Sequence, residues 1–136
     1  MSQKSFATAI GCIDGRAAIP TLQFLQNYLQ VDHVDFVTSA GPDKAFLQGE
    51  PAKIEEMKRQ VAISLNAHHS KIITIVAHHD CAGNPISREE HFAMLSACVK
   101  EIEQWNHDVR VLSLWINEKW QAEVISDSWD ANTKAA

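Results

Sequence analysis

Apolar positions along the chain follow two alternating rhythms. Short continuous runs at residues 5–11, 33–38, 71–77 and 109–115 are rich in aliphatic and β-branched side chains, as in Ile72-Ile73-Thr74-Ile75-Val76-Ala77. Runs of that length without polar alternation are what strands buried on both faces require. Between them the period becomes helical. Ile19, Leu22, Leu25 and Leu29 mark one face of a first helix, with Pro20 near its first turn. Ile54, Met57, Val61 and Leu65 mark a second, opened by Pro51, and Phe92, Leu95, Val99 and Ile102 a third, preceded by Ser87 and Glu90 at capping-box spacing. Ser39-Ala40-Gly41-Pro42-Asp43 is rich in turn residues, and a broad loop is expected there to about Gly49. A short further strand is expected at 122–125, before a polar tail from about residue 127.

This alternation predicts an α/β fold: a single domain over 1–136, with three α/β/α layers around a mostly parallel sheet of about four strands in the order 2-1-3-4. Right-handed crossovers then set strands one and three side by side, with their following helices on opposite faces and a crevice at their carboxyl ends. Both chemically loaded segments end there. Gly11-Cys12-Ile13-Asp14-Gly15-Arg16 follows the first strand, and His78-His79-Asp80-Cys81-Ala82-Gly83-Asn84 follows the third. Cys12, His78 and Cys81 are therefore expected to converge, and two thiolates with one imidazole suit zinc while leaving a fourth position open.

Composition narrows the picture further. With 46% hydrophobic residues in 136, a real core is available, and a net charge of −5 without any run of Lys and Arg argues against a nucleic-acid partner. No apolar stretch suits a membrane span or an export signal, so cytoplasm is the expected location. Three cysteines make a poor disulfide framework and a better metal or reactive-thiol set. Cys98, near the apolar positions of the third helix, reads as packing. His33, His68, His69, His91 and His107 read as solvated or capping residues, His79 as surface or supporting, and Asp80 as a loop-bracing acceptor. Trp105, Trp115, Trp120 and Trp129 read as core or interface, because no basic groove accompanies them.

Zinc lowers the pKa of bound water to about 7, though two thiolates donate charge and weaken the metal as an acid. Asp14, two residues past Cys12, could accept the hydrogen of a zinc-bound hydroxide and aim its lone pair at an electrophile, with Arg16 holding the carboxylate by a charge-assisted pair. Without Arg16, Asp14 could close the fourth position itself. Two other readings stand beside this one: a zinc protein that keeps the metal for folding or interaction alone, and a metal-free enzyme with Cys12 as nucleophile near Arg16. A dinucleotide site fails, since Gly11-Cys12-Ile13-Asp14-Gly15 is not the glycine fingerprint.

Cys12-x-Asp14-x-Arg16 and His78-x-x-Cys81, each following a strand, resemble the two defining motifs of the beta class of carbonic anhydrases, with all five motif positions matching. The likeness extends through most of residues 5–125, including Ser39-Ala40-Gly41, which resembles the family's Asn-Ala-Gly segment. The resemblance implies zinc on Cys12, His78 and Cys81, a catalytic dyad of Asp14 and Arg16, the beta-class sheet in a homodimer or higher homo-oligomer, and reversible hydration of carbon dioxide to bicarbonate by zinc-bound hydroxide. Related enzymes of the same fold hydrolyse carbonyl sulfide or carbon disulfide. The chain departs from the pattern in beginning almost at strand one, where the family carries N-terminal helices that embrace the partner subunit. It departs again at Ser39 and at Cys81-Ala82-Gly83-Asn84, where Cys-Gly is usual. An altered substrate pocket and dimer geometry are expected.

Overall fold

Strands β1 (Phe6–Gly11), β2 (His33–Thr38), β3 (Ile72–His78), β4 (Arg110–Ile116) and β5 (Ala122–Asp127) form one sheet in the order β2-β1-β3-β4-β5. This computed structural model describes residues 4–105 and 108–129. The first four strands run parallel and β5 pairs antiparallel with β4, so the expected 2-1-3-4 order holds and gains an edge strand. Helices α1 (Gly15–Leu29), α2 (Pro42–Gln48), α3 (Pro51–Ala67) and α4 (Arg88–Trp105) cover the sheet.

Side chains alternate across a strand, so one continuous apolar run feeds two cores. Ile10, Ile73, Ile75, Val111 and Trp115 face α2, α3 and α4, where they meet Phe46, Val61, Leu95 and Ile102. The intervening Ala9, Val76, Leu112, Leu114 and Ile116 face α1 and meet Ala17 and Leu25. Helices on both faces are the reason β1, β3 and β4 are mostly apolar, with Thr8, Thr74 and Ser113 as buried exceptions. Each fully buried Leu or Ile contributes about 1.5–3 kcal/mol through its transfer from water. No helix among the described residues is long and apolar enough to cross a membrane.

Three local features differ from the pattern-based expectation. The stretch expected as a broad loop contains α2: Gly41 takes a left-handed conformation (φ 60°), Pro42 opens the helix, and Phe46 is buried in the core. The first helix begins at Gly15, capped by Asp14, so Pro20 lies beyond its first turn. That start sets the helix rotation, and Ala17, Thr21 and Leu25 face the sheet while Ile19, expected on the apolar face, is 62% exposed. Finally β5 runs to Asp127, which is buried and gripped by Arg110, so regular structure reaches the start of the stretch read as a polar tail. Residues 130–136 and His107 lie outside the described residues. The expected capping box is present: Ser87 N–H donates to Glu90 Oε1 and Glu90 N–H to Ser87 Oγ, each at 3.1 Å.

Candidate metal centre

Parallel pairing of β1 with β3 places their carboxyl ends together, and Gly11 hands the chain to Cys12 just where β3 ends in His78. Residues 69 positions apart thereby meet: the Sγ atoms of Cys12 and Cys81 stand 4.0 Å from one another. With a ring nitrogen of His78 they form a cluster whose ligand atoms all lie within 4.8 Å, the one such cluster among the described residues. Two thiolates bound to zinc at about 2.3 Å in tetrahedral geometry would stand about 3.8 Å apart, so the observed spacing needs almost no adjustment.

The imidazole is committed in a way that favours a cation. His78 Nδ1 lies 2.7 Å from the carbonyl oxygen of His79, and since a carbonyl can only accept, Nδ1 carries the hydrogen. Nε2 is then a bare acceptor, and it is buried without a hydrogen-bond partner. An unsatisfied buried acceptor costs about 1–3 kcal/mol. A divalent metal shared with two adjacent free thiols would remove that penalty, so the donor set fits zinc.

The loop bearing Cys81 is held by backbone contact and by a buried polar network. A Cβ at Gly83 would come within 2.5 Å of Ala40 C and Gly41 N, and one at Gly41 within 2.6 Å of Gly83 C, so the two loops touch only because both residues are glycine. Next to this contact, Asn84 Nδ2 donates to Asp43 Oδ1 at 3.0 Å, and His91 Nδ1 lies 2.6 Å from Asp43 Oδ2. Both members of the Asp43 and His91 pair are buried, and His91 packs against Trp115. His91 is thus neither solvated nor a cap, contrary to the expectation for it. A carboxylate on α2 claims its ring, and that partner was invisible while α2 read as loop. Burial pushes the Asp43 carboxyl up, but hydrogen bonds from His91 and Asn84 outweigh it and hold the group below the usual carboxylate range.

Asp14 and Arg16 meet through several bonds. Asp14 Oδ1 accepts from the backbone N–H (2.9 Å) and Nε (3.0 Å) of Arg16, and Oδ2 from Nη2 (2.7 Å). The Arg16 hydrogen bond lowers the Asp14 pKa to about 2, and Asp14 in turn raises that of the guanidinium. Asp14 Oδ2 lies 3.9 Å from His78 Nε2, at the edge of the ligand cluster. Asp80 braces more than its loop: its carboxylate accepts from Arg16 Nη1 and its carbonyl from Nη2, both at 3.2 Å. Its left-handed backbone (φ 58°), tolerated by Asp, helps present both groups to one guanidinium. The i, i+2 spacing of Asp14 and Arg16 was legible in the sequence, whereas the bracing of Arg16 by Asp80 was not.

Beside Cys12 lies a cavity of about 250 Å³ walled by Ile13, Ala17, Phe36 and Val76, a surface without charge. The other candidates sort as expected or nearly so. Cys98 is fully buried, and burial pushes its thiol up. His33, His69 and His79 are exposed, while His68 pairs with Asp35 at 2.6 Å. Trp115 is core, Trp105 is partly buried against the same core near Phe46, and Trp129, 67% exposed with Arg110 over its ring, is not core.

A family profile described as "Putative carbonic anhydrase" matches residues 2–126. Among solved structures, one from a study of two tetrameric beta-carbonic anhydrases of the filamentous ascomycete Sordaria macrospora superposes with a TM-score of 0.59 at 12% identity, covering 93% of this chain and 84% of that one. A carbonic anhydrase from Glaciozyma antarctica superposes with a TM-score of 0.50 at 16% identity, covering 88% of this chain and 81% of that one. No curated protein matches the chain.

Proposed function

The chain belongs to a carbonic anhydrase family and has the beta-class fold, and from that premise we propose that it interconverts carbon dioxide and bicarbonate, with Cys12, His78 and Cys81 holding zinc and Asp14 and Arg16 as the catalytic dyad. The observation that carries this reading is the buried Nε2 of His78, left without a partner beside two free thiols. Zinc, when bound there, supplies the Lewis acidity that makes water a nucleophile near neutral pH.

The remaining roles belong to the chain's own atoms. Asp14 is ionised at any physiological pH, because its pKa of about 2 leaves it deprotonated. It is too weak a base to take up a proton at pH 7, so its role is to accept a hydrogen bond and thereby orient the attacking oxygen. Oδ1 takes two Arg16 donors and Oδ2 only one, so Oδ2, the oxygen nearer His78, keeps a lone pair for the reacting atoms. Arg16 keeps Asp14 from swinging inward, since both guanidinium contacts pull the carboxylate toward α1. The uncharged cavity at Cys12 suits a small linear electrophile with no net charge, and bicarbonate, once formed, finds no cation in that wall to retain it.

That cavity also favours a second substrate class, carbonyl sulfide or carbon disulfide, whose less polar ends it would accommodate equally well. Stopped-flow hydration of carbon dioxide with a pH indicator, on zinc-replete protein at pH 7–9, tests the first reading. A rate no better than buffer would remove it, and sulfide release from carbon disulfide would then install the second. A homo-oligomer is expected, as the Sordaria proteins are tetrameric, and light scattering on purified protein checks it.

A further inference from the structure

The Asp14 and Arg16 pair raises a difficulty that the dyad alone does not solve. The Arg16 side chain is 49% exposed, and although its grip on Asp14 is bidentate, its arm to Asp80, itself 71% exposed, is screened by solvent and opposed by rotamer entropy. Something must keep the guanidinium in one place. Its face is covered by the ring of Trp120, with Cζ 4.5 Å from the ring centroid. The same indole lies edge-on to His79 at 6.3 Å and tilted against His78 at 6.1 Å, so it stands between Arg16 and the end of β3.

The backbone at Trp120 is unusual. Residue 120 has φ 58°, in the left-handed region, where a bulky side chain is a genuine outlier. It closes the connection between β4 and β5: Trp120 N–H donates to the Asn117 carbonyl at 2.9 Å, and Asn117 Oδ1 accepts from the backbone N–H groups of Lys119 (2.9 Å) and Gln121 (3.1 Å). A tight turn followed by a left-handed residue is a hairpin form that ordinarily takes glycine in that last place. Here the chain sets its largest side chain there and aims it across the sheet at an arginine on α1. Strain of this kind persists where the surroundings over-determine it, and the surroundings here are the dyad.

We infer that Trp120 is a positioning residue for the dyad: stacked on Arg16, it fixes the guanidinium so that one edge grips Asp14 while the remaining nitrogen grips Asp80. Three restraints then act on one side chain, the cation–π contact from the face and two carboxylates from the edges. Without the ring only the two carboxylates hold Arg16, its guanidinium samples more positions, and Asp14 spends more time turned toward His78 Nε2. The inference rests on the proposed catalytic role of Asp14 and Arg16 only for its effect on rate. The restraint on Arg16 is readable without any reaction.

The test uses Trp120→Gly, Trp120→Leu and Trp120→Phe in the zinc-replete full chain. Glycine favours the left-handed backbone, so the turn survives in that variant even if leucine fails to fold. Arginine Nε–H resonances in 15N-correlated NMR report the restraint directly. Arg110, paired with Asp127 and covered by Tyr28 and Trp129, serves as internal control for the fold. In Trp120→Gly the Arg16 Nε–H signal should lose its ring-current shift and exchange about tenfold faster with solvent, while that of Arg110 stays in place. In parallel kcat should fall about tenfold with KM changed less than about twofold, and Trp120→Phe, which keeps a ring face, should restore most of both. An Arg16 signal unmoved in Trp120→Gly, or a loss equally large in Phe and Gly, overturns the assignment. If wild type fails to hydrate carbon dioxide, the proposed function falls, and the NMR comparison still decides the role of Trp120.

Discussion

Two imidazoles lie about equally deep in this molecule and are held in opposite ways. His78 and His91 are each 1% exposed, and each has Nδ1 engaged, His78 with its neighbour's carbonyl oxygen at 2.7 Å and His91 with the Asp43 carboxylate at 2.6 Å. The difference lies in what surrounds them. His78 ends with a buried, bare Nε2 beside two thiols, whereas His91 is tied to a carboxylate that also binds Asn84 and the N–H of Lys44. Burial of a histidine is therefore no sign of function by itself. An acceptor left unpaired at a point where other ligands gather is such a sign, because the cost of leaving it bare needs an occupant to offset it.

The sharpest way to break that contrast is to exchange the two residues' fates by mutation. His78→Gln and Cys12→Ser should each reduce zinc from about one ion per chain to below about a tenth, since losing one of three protein ligands removes most of the site's affinity. Metal analysis by mass spectrometry after gel filtration measures this. His91→Gln should leave zinc content near wild type. Equal zinc in wild type and Cys12→Ser would end the ligand assignment, and a loss of zinc in His91→Gln as complete as in Cys12→Ser would show that the Asp43 and His91 pair is as necessary to the site as its ligands. Next in size comes Asp14→Asn, which should retain zinc yet lower kcat by about a hundredfold, as expected for a group that orients the nucleophile rather than binding the metal. Zinc-replete Asp14→Asn running at wild-type rate would leave the dyad without a role.

Much of the fold, and the ligand cluster within it, was legible in the sequence, for reasons specific to each element. Strands buried on both faces announce themselves by unbroken apolar runs, and handedness then permits few orders, so the convergence of Cys12, His78 and Cys81 could be anticipated from topology. The Asp14 and Arg16 pairing was legible because the two residues are two positions apart and interact within one helix start. What escaped was non-local or too short to show a period. Helix α2 has seven residues, fewer than two full turns, with Gly and Pro at its entrance. Asp43 therefore read as loop, and its partner His91, 48 positions away, read as surface. The rotation of α1 escaped because Ile19 and Ala17 sit on competing faces, and the smaller residue, which allows the helix closest to the sheet, turns inward. Trp120 escaped because its role depends on a left-handed turn that its side chain does not predict.

The buried pair on the His91 side also has an energetic signature. Asp43→Ala removes the acceptor for His91 Nδ1, Asn84 Nδ2 and the Lys44 N–H at once, stranding donors in an apolar setting. Breaking a buried pair from one side costs about 3–5 kcal/mol, and urea unfolding at pH 7 should show a loss of that order. Because Asn84 belongs to the Cys81 loop, zinc affinity should weaken in the same variant, though less than in Cys12→Ser. A change below about 1 kcal/mol would mean that water or a rearranged His91 replaces the carboxylate, and the two imidazoles would then be less different than their geometry indicates.

The smallest effect is a dependence on acid, and it isolates the charge on Asp43 from its shape. Burial raises the Asp43 pKa, while the bonds from His91 and Asn84 lower it by more, leaving the folded value below the 3.8 of an ordinary Asp. A carboxyl whose folded pKa is depressed contributes stability in full above its unfolded pKa and loses it as pH falls through the folded one. The window therefore opens at about pH 4 and extends downward. Asp127, also held low despite its burial, chiefly by its Arg110 bond, adds a parallel loss, so wild type alone cannot assign the slope. Acid also protonates zinc-bound thiolates and expels the metal, which would mask the effect in loaded protein. Comparing Cys12→Ser with the double variant Cys12→Ser/Asp43→Asn removes both complications: metal is absent from each, and Asp127 is common to both. The single variant should lose stability faster between about pH 4 and pH 3, with the two curves parallel from pH 5 to pH 7. Curves parallel throughout would mean that Asp43 carries no depressed pKa in the folded chain, and that its grip on His91 is steric fit rather than charge.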